Sequence, residues 1–120
     1  MKYNPYLNDT PAVSEIGFGA WQLGAGTIAR GLSEKEALTM VRKAFEWGVN
    51  FFDTANHYPD FSNCGRTERY IGRWFAQGNG RRARIVLATK VYQPMKDPLD
   101  GPNDEPGLSI YKIRRHLEGS

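Results

Sequence analysis

Three residues of this chain have the types and the placement for proton chemistry. Asp53 and Tyr58 stand five residues apart after the apolar run Val49-Asn50-Phe51-Phe52, and Lys90 closes a second run, Arg84-Ile85-Val86-Leu87-Ala88-Thr89. Taken singly, each has an ordinary structural reading: Asp53 as a turn or cap residue, Tyr58 as an amphipathic loop aromatic, Lys90 as a charge emerging into solvent. Taken together they fall on one rim, because the loops that follow parallel strands converge there. A lysine ending an apolar run is a cation at a half-buried position, where it needs a carboxylate such as Asp53. A cation beside Tyr58 favours the phenolate, which suits the phenol to act as a general acid near neutral pH.

Placing these residues takes strands that end near positions 53 and 90, and the surrounding pattern supplies them. Residues 1–14 are turn-rich and polar, with Pro5, Asn8-Asp9 and Pro11, and read as an N-terminal arm or edge hairpin. The first central strand is expected at Glu15-Ile16-Gly17-Phe18, followed by a glycine-rich loop from Gly19 to Gly31 that carries Trp21 and Leu23. Ser33-Glu34-Lys35-Glu36 is a capping-box sequence, so a helix starts there, and Ala37, Met40, Val41, Ala44, Phe45 and Trp47 recur at helical spacing. Gly48 is placed to end that helix in the left-handed conformation. A strand from Val49 to Asp53 and a loop from Thr54 to Arg66 come next. A second helix follows from Thr67 to Gln77, with Tyr70, Ile71, Trp74 and Phe75 on its apolar side, and then a strand from Ile85 to Lys90. Val91 to Gly107 holds Pro94, Pro98, Pro102 and Pro106 and reads as a long loop. Leu108-Ser109 then opens a third helix with Ile110, Ile113 and Leu117 on one face.

Strict alternation of strand and helix implies an α/β fold with a parallel sheet and right-handed crossovers. Three such units do not close a barrel, since closure takes eight strands and typically about 250 residues. The expectation is therefore one partial domain, 1–120, forming the N-terminal portion of a parallel (β/α)8 TIM barrel. Residues 1–14 are its arm, and 15–120 are the first three βα units with the third helix incomplete. An open sheet edge would also offer a route to a homo-oligomer.

Composition excludes several classes. At 120 residues, 40% hydrophobic and 24% charged, the chain is ordinary for a globular protein. No stretch reaches the roughly 18 to 20 apolar residues of a membrane span, and the start, Met1-Lys2-Tyr3-Asn4-Pro5-Tyr6, has no apolar signal region. A cytoplasmic protein with no membrane partner is expected. The single cysteine, Cys64, excludes an internal disulfide and reads as a loop thiol, with His57 as the one nearby base. The net charge of +3 is concentrated at Arg81-Arg82-Ala83-Arg84 and Lys112-Ile113-Arg114-Arg115-His116. Without interleaved aromatics or a nucleic-acid motif these read as a solvated turn and helix face, and no nucleic-acid partner is expected.

Gly17-Phe18-Gly19-Ala20-Trp21-Gln22 invites comparison with the dinucleotide fingerprint, but Gln22 stands where that motif needs a third glycine and the helix starts only after Ser33. A different resemblance covers nearly the whole chain. Its blocks are Ser14-Glu15-Ile16-Gly17-Phe18-Gly19-Ala20-Trp21-Gln22-Leu23-Gly24, then Gly48-Val49-Asn50-Phe51-Phe52-Asp53-Thr54-Ala55-Asn56-His57-Tyr58, then Gly65-Arg66-Thr67-Glu68-Arg69-Tyr70-Ile71-Gly72, and Leu87-Ala88-Thr89-Lys90. In order and spacing they resemble the aldo-keto reductase family, and the stretch from Ser109 to Ser120 resembles the start of that family's third barrel helix.

The resemblance implies a (β/α)8 barrel that binds NADPH (NADP+) and reduces a small aldehyde or ketone to an alcohol. It implies catalytic roles for Asp53, Tyr58 and Lys90: Tyr58 protonates the carbonyl oxygen, Lys90 tunes it, and Asp53 holds Lys90. It places Gly19, Ala20, Trp21 and Asp53 along the cofactor, with Trp21 and Tyr58 also against the substrate. The family's fourth catalytic member is a histidine on the fourth strand, a role that neither His57 nor His116 matches, and its phosphate-gripping loops come late in the barrel. The 120 residues alone are thus expected to be inactive. Ala20 replaces a threonine common in the family, and Pro59 to Cys64 form a local loop that bears on substrate choice. An alternative within the same family is a non-catalytic, nucleotide-sensing protein like a channel β-subunit.

Overall fold

The computed structural model describes residues 1–7, 11–24, 32–96 and 105–120. Two short strands, β1 (Tyr3–Asn4) and β2 (Val13–Ser14), pair antiparallel as an N-terminal hairpin. Three more, β3 (Phe18–Gly19), β4 (Phe51–Asp53) and β5 (Val86–Ala88), form a parallel sheet in the order β3-β4-β5. Helices α1 (Glu34–Glu46), α2 (Arg66–Ala76) and α3 (Ile110–Gly119) follow β3, β4 and β5 in turn. The chain is therefore an α/β protein with a parallel sheet built from alternating strands and helices.

Local chemistry explains the element ends. Ser33 caps α1 by accepting from the Glu36 amide at 3.3 Å, while the Glu36 carboxylate accepts from the Ser33 amide at 2.9 Å. Both arms of the capping box are thus made. Gly48 ends the helix at φ +91°, and a Cβ there would lie 2.7 Å from the Tyr3 hydroxyl, which itself donates to the Gly48 carbonyl at 2.8 Å. The Val49 amide donates to Ala44 at 3.0 Å, so Val49 closes the helix instead of opening the strand, and β4 begins at Phe51.

The expected first strand at Glu15-Ile16-Gly17-Phe18 is displaced toward its C-terminal end. Glu15 is drawn into the arm, its amide donating to the Lys2 carbonyl at 3.0 Å, and the Ser14 hydroxyl donates to the Ile16 carbonyl at 2.7 Å. The chain bends there, leaves Ile16 exposed, and enters the sheet only at Phe18. The glycine-rich loop starts with a 3-10 turn at Trp21–Gly24, and its continuation through 25–31 lies outside the described residues, as does 97–104 of the proline-rich loop. β5 ends two residues before Lys90. Helix α3 forms where its spacing predicts, with Ser109 accepting from the Lys112 amide at 3.2 Å, yet Ile110 and Leu117 stand exposed while His116 is buried.

The core lies between the sheet and helices α1 and α2. Ala37, Val41 and Ala44 of α1, Ile71 and Trp74 of α2, and Phe52 of β4 are all buried. Trp74 stacks on Phe52 at 6.1 Å and meets Phe45 edge-on at 5.2 Å, and burial of each such side chain stabilises by roughly 1.5–3 kcal/mol. The basic run before β5 covers this aromatic cluster: Arg81, Arg82 and Arg84 lie over Trp74, Phe75 and Phe45 at 5.1, 5.6 and 4.5 Å. Among the described residues no helix is long and apolar enough to cross a membrane.

Candidate active site

Register brings the strand ends level. Gly19 pairs with Asp53, and Asp53 with Ala88, so the three strands finish together. Backbone bonds continue the ladder past them: the Ala20 amide donates to the Asp53 carbonyl at 2.9 Å, the Thr54 amide to Ala88 at 2.9 Å, and the Asn56 amide to Lys90 at 3.2 Å. The loops that follow therefore leave the sheet from one fixed edge, and the side chains just past each strand are held near one another.

Lys90 is the centre of that edge. Its Nζ donates to both carboxylate oxygens of Asp53 at 2.9 Å and to the Thr54 carbonyl at 2.8 Å. It also stands 5.1 Å from the centroid of the Tyr58 ring. Both charged side chains are about half exposed, at 50% for Lys90 and 43% for Asp53. A pair so open to water is worth only about 0–1 kcal/mol, so what it contributes is placement more than stability. Burial alone would lower the Lys90 ammonium, but the hydrogen bond to Asp53 and the nearby phenol and carboxylate outweigh it. The ammonium is held above its ordinary value of 10.5 and stays charged through the neutral range.

Tyr58 is fixed from several sides. Its amide donates to the Ala55 carbonyl at 3.2 Å and its own carbonyl accepts from the Thr67 amide at 3.3 Å. The Trp21 ring lies 6.2 Å away, and the Trp21 indole N–H donates to the Pro59 carbonyl at 2.8 Å, tying the loop after β3 to the loop after β4. His57 meets the Tyr58 ring edge-on at 5.0 Å and stacks on Phe61 at 5.8 Å. Burial, and then the charge of Lys90, hold the His57 imidazole below its ordinary value of 6.5, so it is neutral beside the phenol at neutral pH. Cys64 turns its sulfur onto the Phe61 carbonyl at 3.5 Å.

The residues named from sequence thus lie along one edge. Lys90 reaches both Asp53 and Tyr58, Trp21 flanks Tyr58 with its ring about half exposed, Gly19 borders Asp53, and Ala20 is fully buried beneath. A Cβ built on Gly19 would meet nothing within 4 Å, so the surface beside Asp53 is open. Sequence reasoning missed the Thr54 carbonyl as the third acceptor for Lys90, the Trp21 bond to Pro59, and a 2.6 Å bond from the Thr89 hydroxyl to the Glu68 carboxylate. It also missed a buried polar layer at Thr54, Asn56 and Thr67, whose side-chain polar atoms have no partner among the described residues. The available signal was the small polar type of these three residues, with Thr54 and Asn56 placed just after an apolar run.

Comparison with known proteins agrees with this architecture. The sequence profile described as "Aldo/keto reductase family" matches residues 15–120. The chain is 54% identical over 121 residues to "Uncharacterized oxidoreductase YrpG" of Bacillus subtilis (strain 168), a match over 100% of this chain and 35% of that protein. It is 35% identical over 120 residues to a protein of Oryza sativa subsp. japonica named "Probable voltage-gated potassium channel subunit beta", covering 100% of this chain and 33% of that one. Among solved structures, the holo form of the aldo-keto reductase AKR11C1 from Bacillus halodurans superposes with a TM-score of 0.69 at 28% identity, over 98% of this chain and 35% of that chain. The chain spans about a third of the length of these relatives. With the family profile matched across nearly its whole length, this chain belongs to the aldo/keto reductase family.

Proposed function

We propose that this chain carries the proton-donating part of an NADPH-dependent reductase that converts small aldehydes or ketones to alcohols. In this reading residues 15–120 are about the first three βα units of a (β/α)8 barrel. The observation that carries it is the Lys90 ammonium, bound to both oxygens of Asp53 and 5.1 Å from the Tyr58 ring, at the carboxyl edge of a parallel sheet. The open surface at Gly19 and the half-exposed Trp21 ring fit the flat nicotinamide end of the cofactor, which Gly19, Ala20, Trp21 and Asp53 would border. When bound, that cofactor supplies the hydride to the carbonyl carbon. Tyr58 gives its phenolic proton to the carbonyl oxygen, and the product is the alcohol. The phenolate left behind is stabilised by the Lys90 cation, and Asp53 and the Thr54 carbonyl keep Lys90 from swinging into solvent.

His57 sits on the loop after β4 and His116 on α3, so neither occupies a strand end as the family's histidine does. The 120 residues alone are therefore expected to show no carbonyl-dependent NADPH oxidation; measurable turnover that needs Tyr58 would contradict this. In the full-length protein, Tyr58→Phe is expected to abolish reduction while nucleotide binding stays intact, and retained activity would remove Tyr58 from the acid role. The similarity to the rice protein named as a channel subunit favours a second reading, nucleotide sensing without turnover. Nucleotide binding by the full-length protein with no reduction across a panel of aldehydes and ketones would select it.

A further inference from the structure

We propose that the first turn of α2 is a bracket that sets the spacing between Tyr58 and Lys90, with Glu68 acting through Thr89 as a positioning residue. Two consecutive residues of the helix reach the backbone of Tyr58 and the neighbour of Lys90. The Thr67 amide donates to the carbonyl of Tyr58 at 3.3 Å. The Glu68 carboxylate accepts from the hydroxyl of Thr89, the residue before Lys90, at 2.6 Å. The helix is preceded by Gly65 at φ +73°, which offers no side-chain cap, so the Thr67 amide goes to Tyr58 and not to a capping side chain.

The second arm answers a need visible in the sheet. The ladder of β5 stops at Ala88, and β5 is an outer strand of the described sheet. On the β4 side, residues 89–90 are held by the Asn56 amide on the Lys90 carbonyl and by the Lys90 side chain itself. Glu68 supplies support from the helix side by accepting from the Thr89 hydroxyl at 2.6 Å, a short hydrogen bond. The bracket is stiff because α2 is anchored by Ile71 and Trp74, both 1% exposed.

This proposal rests on the reductase reading for its kinetic consequence, but the geometry can be tested apart from it. In the full-length protein, Glu68→Ala is expected to lower kcat by about tenfold to a hundredfold, the scale for a misplaced reacting group, with KM nearly unchanged. Glu68→Gln keeps an acceptor for Thr89 and is expected to recover most of the rate. Thr89→Val is expected to match Glu68→Ala, with the double variant no worse than either. Independently of turnover, NMR titration of the Lys90 side chain is expected to run lower in Glu68→Ala and Thr89→Val than in the parent, because the ammonium is less firmly held against Asp53. If Thr89→Val, which preserves shape, folds normally and leaves both kcat and the Lys90 titration unmoved, the bracket is wrong. If the parent reduces no carbonyl while the Lys90 titration still responds, the reductase reading fails and the bracket stands.

Discussion

Cations sit over aromatic rings at both ends of this sheet, and the two arrangements do different work. At the amino end Arg81, Arg82 and Arg84 lie over Trp74, Phe75 and Phe45, and Arg81 and Arg82 are held by backbone carbonyls of Trp74 and Ile85. At the carboxyl end Lys90 lies over Tyr58, at the same 5.1 Å that separates Arg81 from Trp74, but a carboxylate holds it. The rings of Phe and Trp offer no acidic proton, so the arginines can only roof the core. A phenol does offer one, and in the proposed reaction the lysine pinned by Asp53 would stand beside the charge that its loss creates. Distance alone therefore does not mark a reactive site; the ring's own chemistry and the partner that fixes the cation do.

Tyr58→Phe is the sharpest way to break the contrast, since it would leave Lys90 over a phenyl ring much as Arg82 lies over Phe75. Loss of reductase activity on the order of 10²- to 10⁴-fold is expected, measured as NADPH oxidation by the full-length protein. Trp74→Ala strikes beneath the roof and should cost about 3–5 kcal/mol in denaturant unfolding, because a fully buried ring that touches Phe52 and Phe45 is removed. Arg84→Ala takes away one roof member and should cost only about 0.5–1 kcal/mol without altering catalysis; a large kinetic effect would show that the two ends are coupled.

Smaller still are the effects of pH on stability. The His57 imidazole is held low by burial and by Lys90, so its contribution is complete above 6.5 and is lost as pH falls below that. His57→Gln should flatten this part of a plot of unfolding midpoint against pH. Lys90 has the opposite sign: its raised value means its contribution is complete below 10.5 and lost as pH rises through the higher folded value. The same plot for Lys90→Met should lack that alkaline fall.

Much of this was written locally in the chain. The capping box at Ser33 and Glu36, Gly48 after α1, and apolar runs ending at Asp53 and near Lys90 are short-range signals, and the elements they predict are present. What could not be read were contacts between distant segments. Glu15 stays out of the strand its sequence suggests because the arm captures its amide, while Ser14 and Asn50 exchange hydrogen bonds across 36 residues. The Glu68 to Thr89 and Trp21 to Pro59 bonds span 21 and 38 residues and depend on where the sheet brings the loops. The stripe of α3 gave its helical period correctly, but period does not say what a face packs against, and Ile110 and Leu117 are exposed.

The bond from the Trp21 indole to Pro59 has a consequence for how such a site can diversify. It uses a main-chain carbonyl, a group every amino acid provides, so it spends no side chain of the second loop. Replacements from Asp60 to Cys64 can change the side chains of the loop and leave the anchor beside Tyr58 in place. Side-chain variation in that stretch is thereby uncoupled from the bond that ties the loop after β3 to the loop after β4.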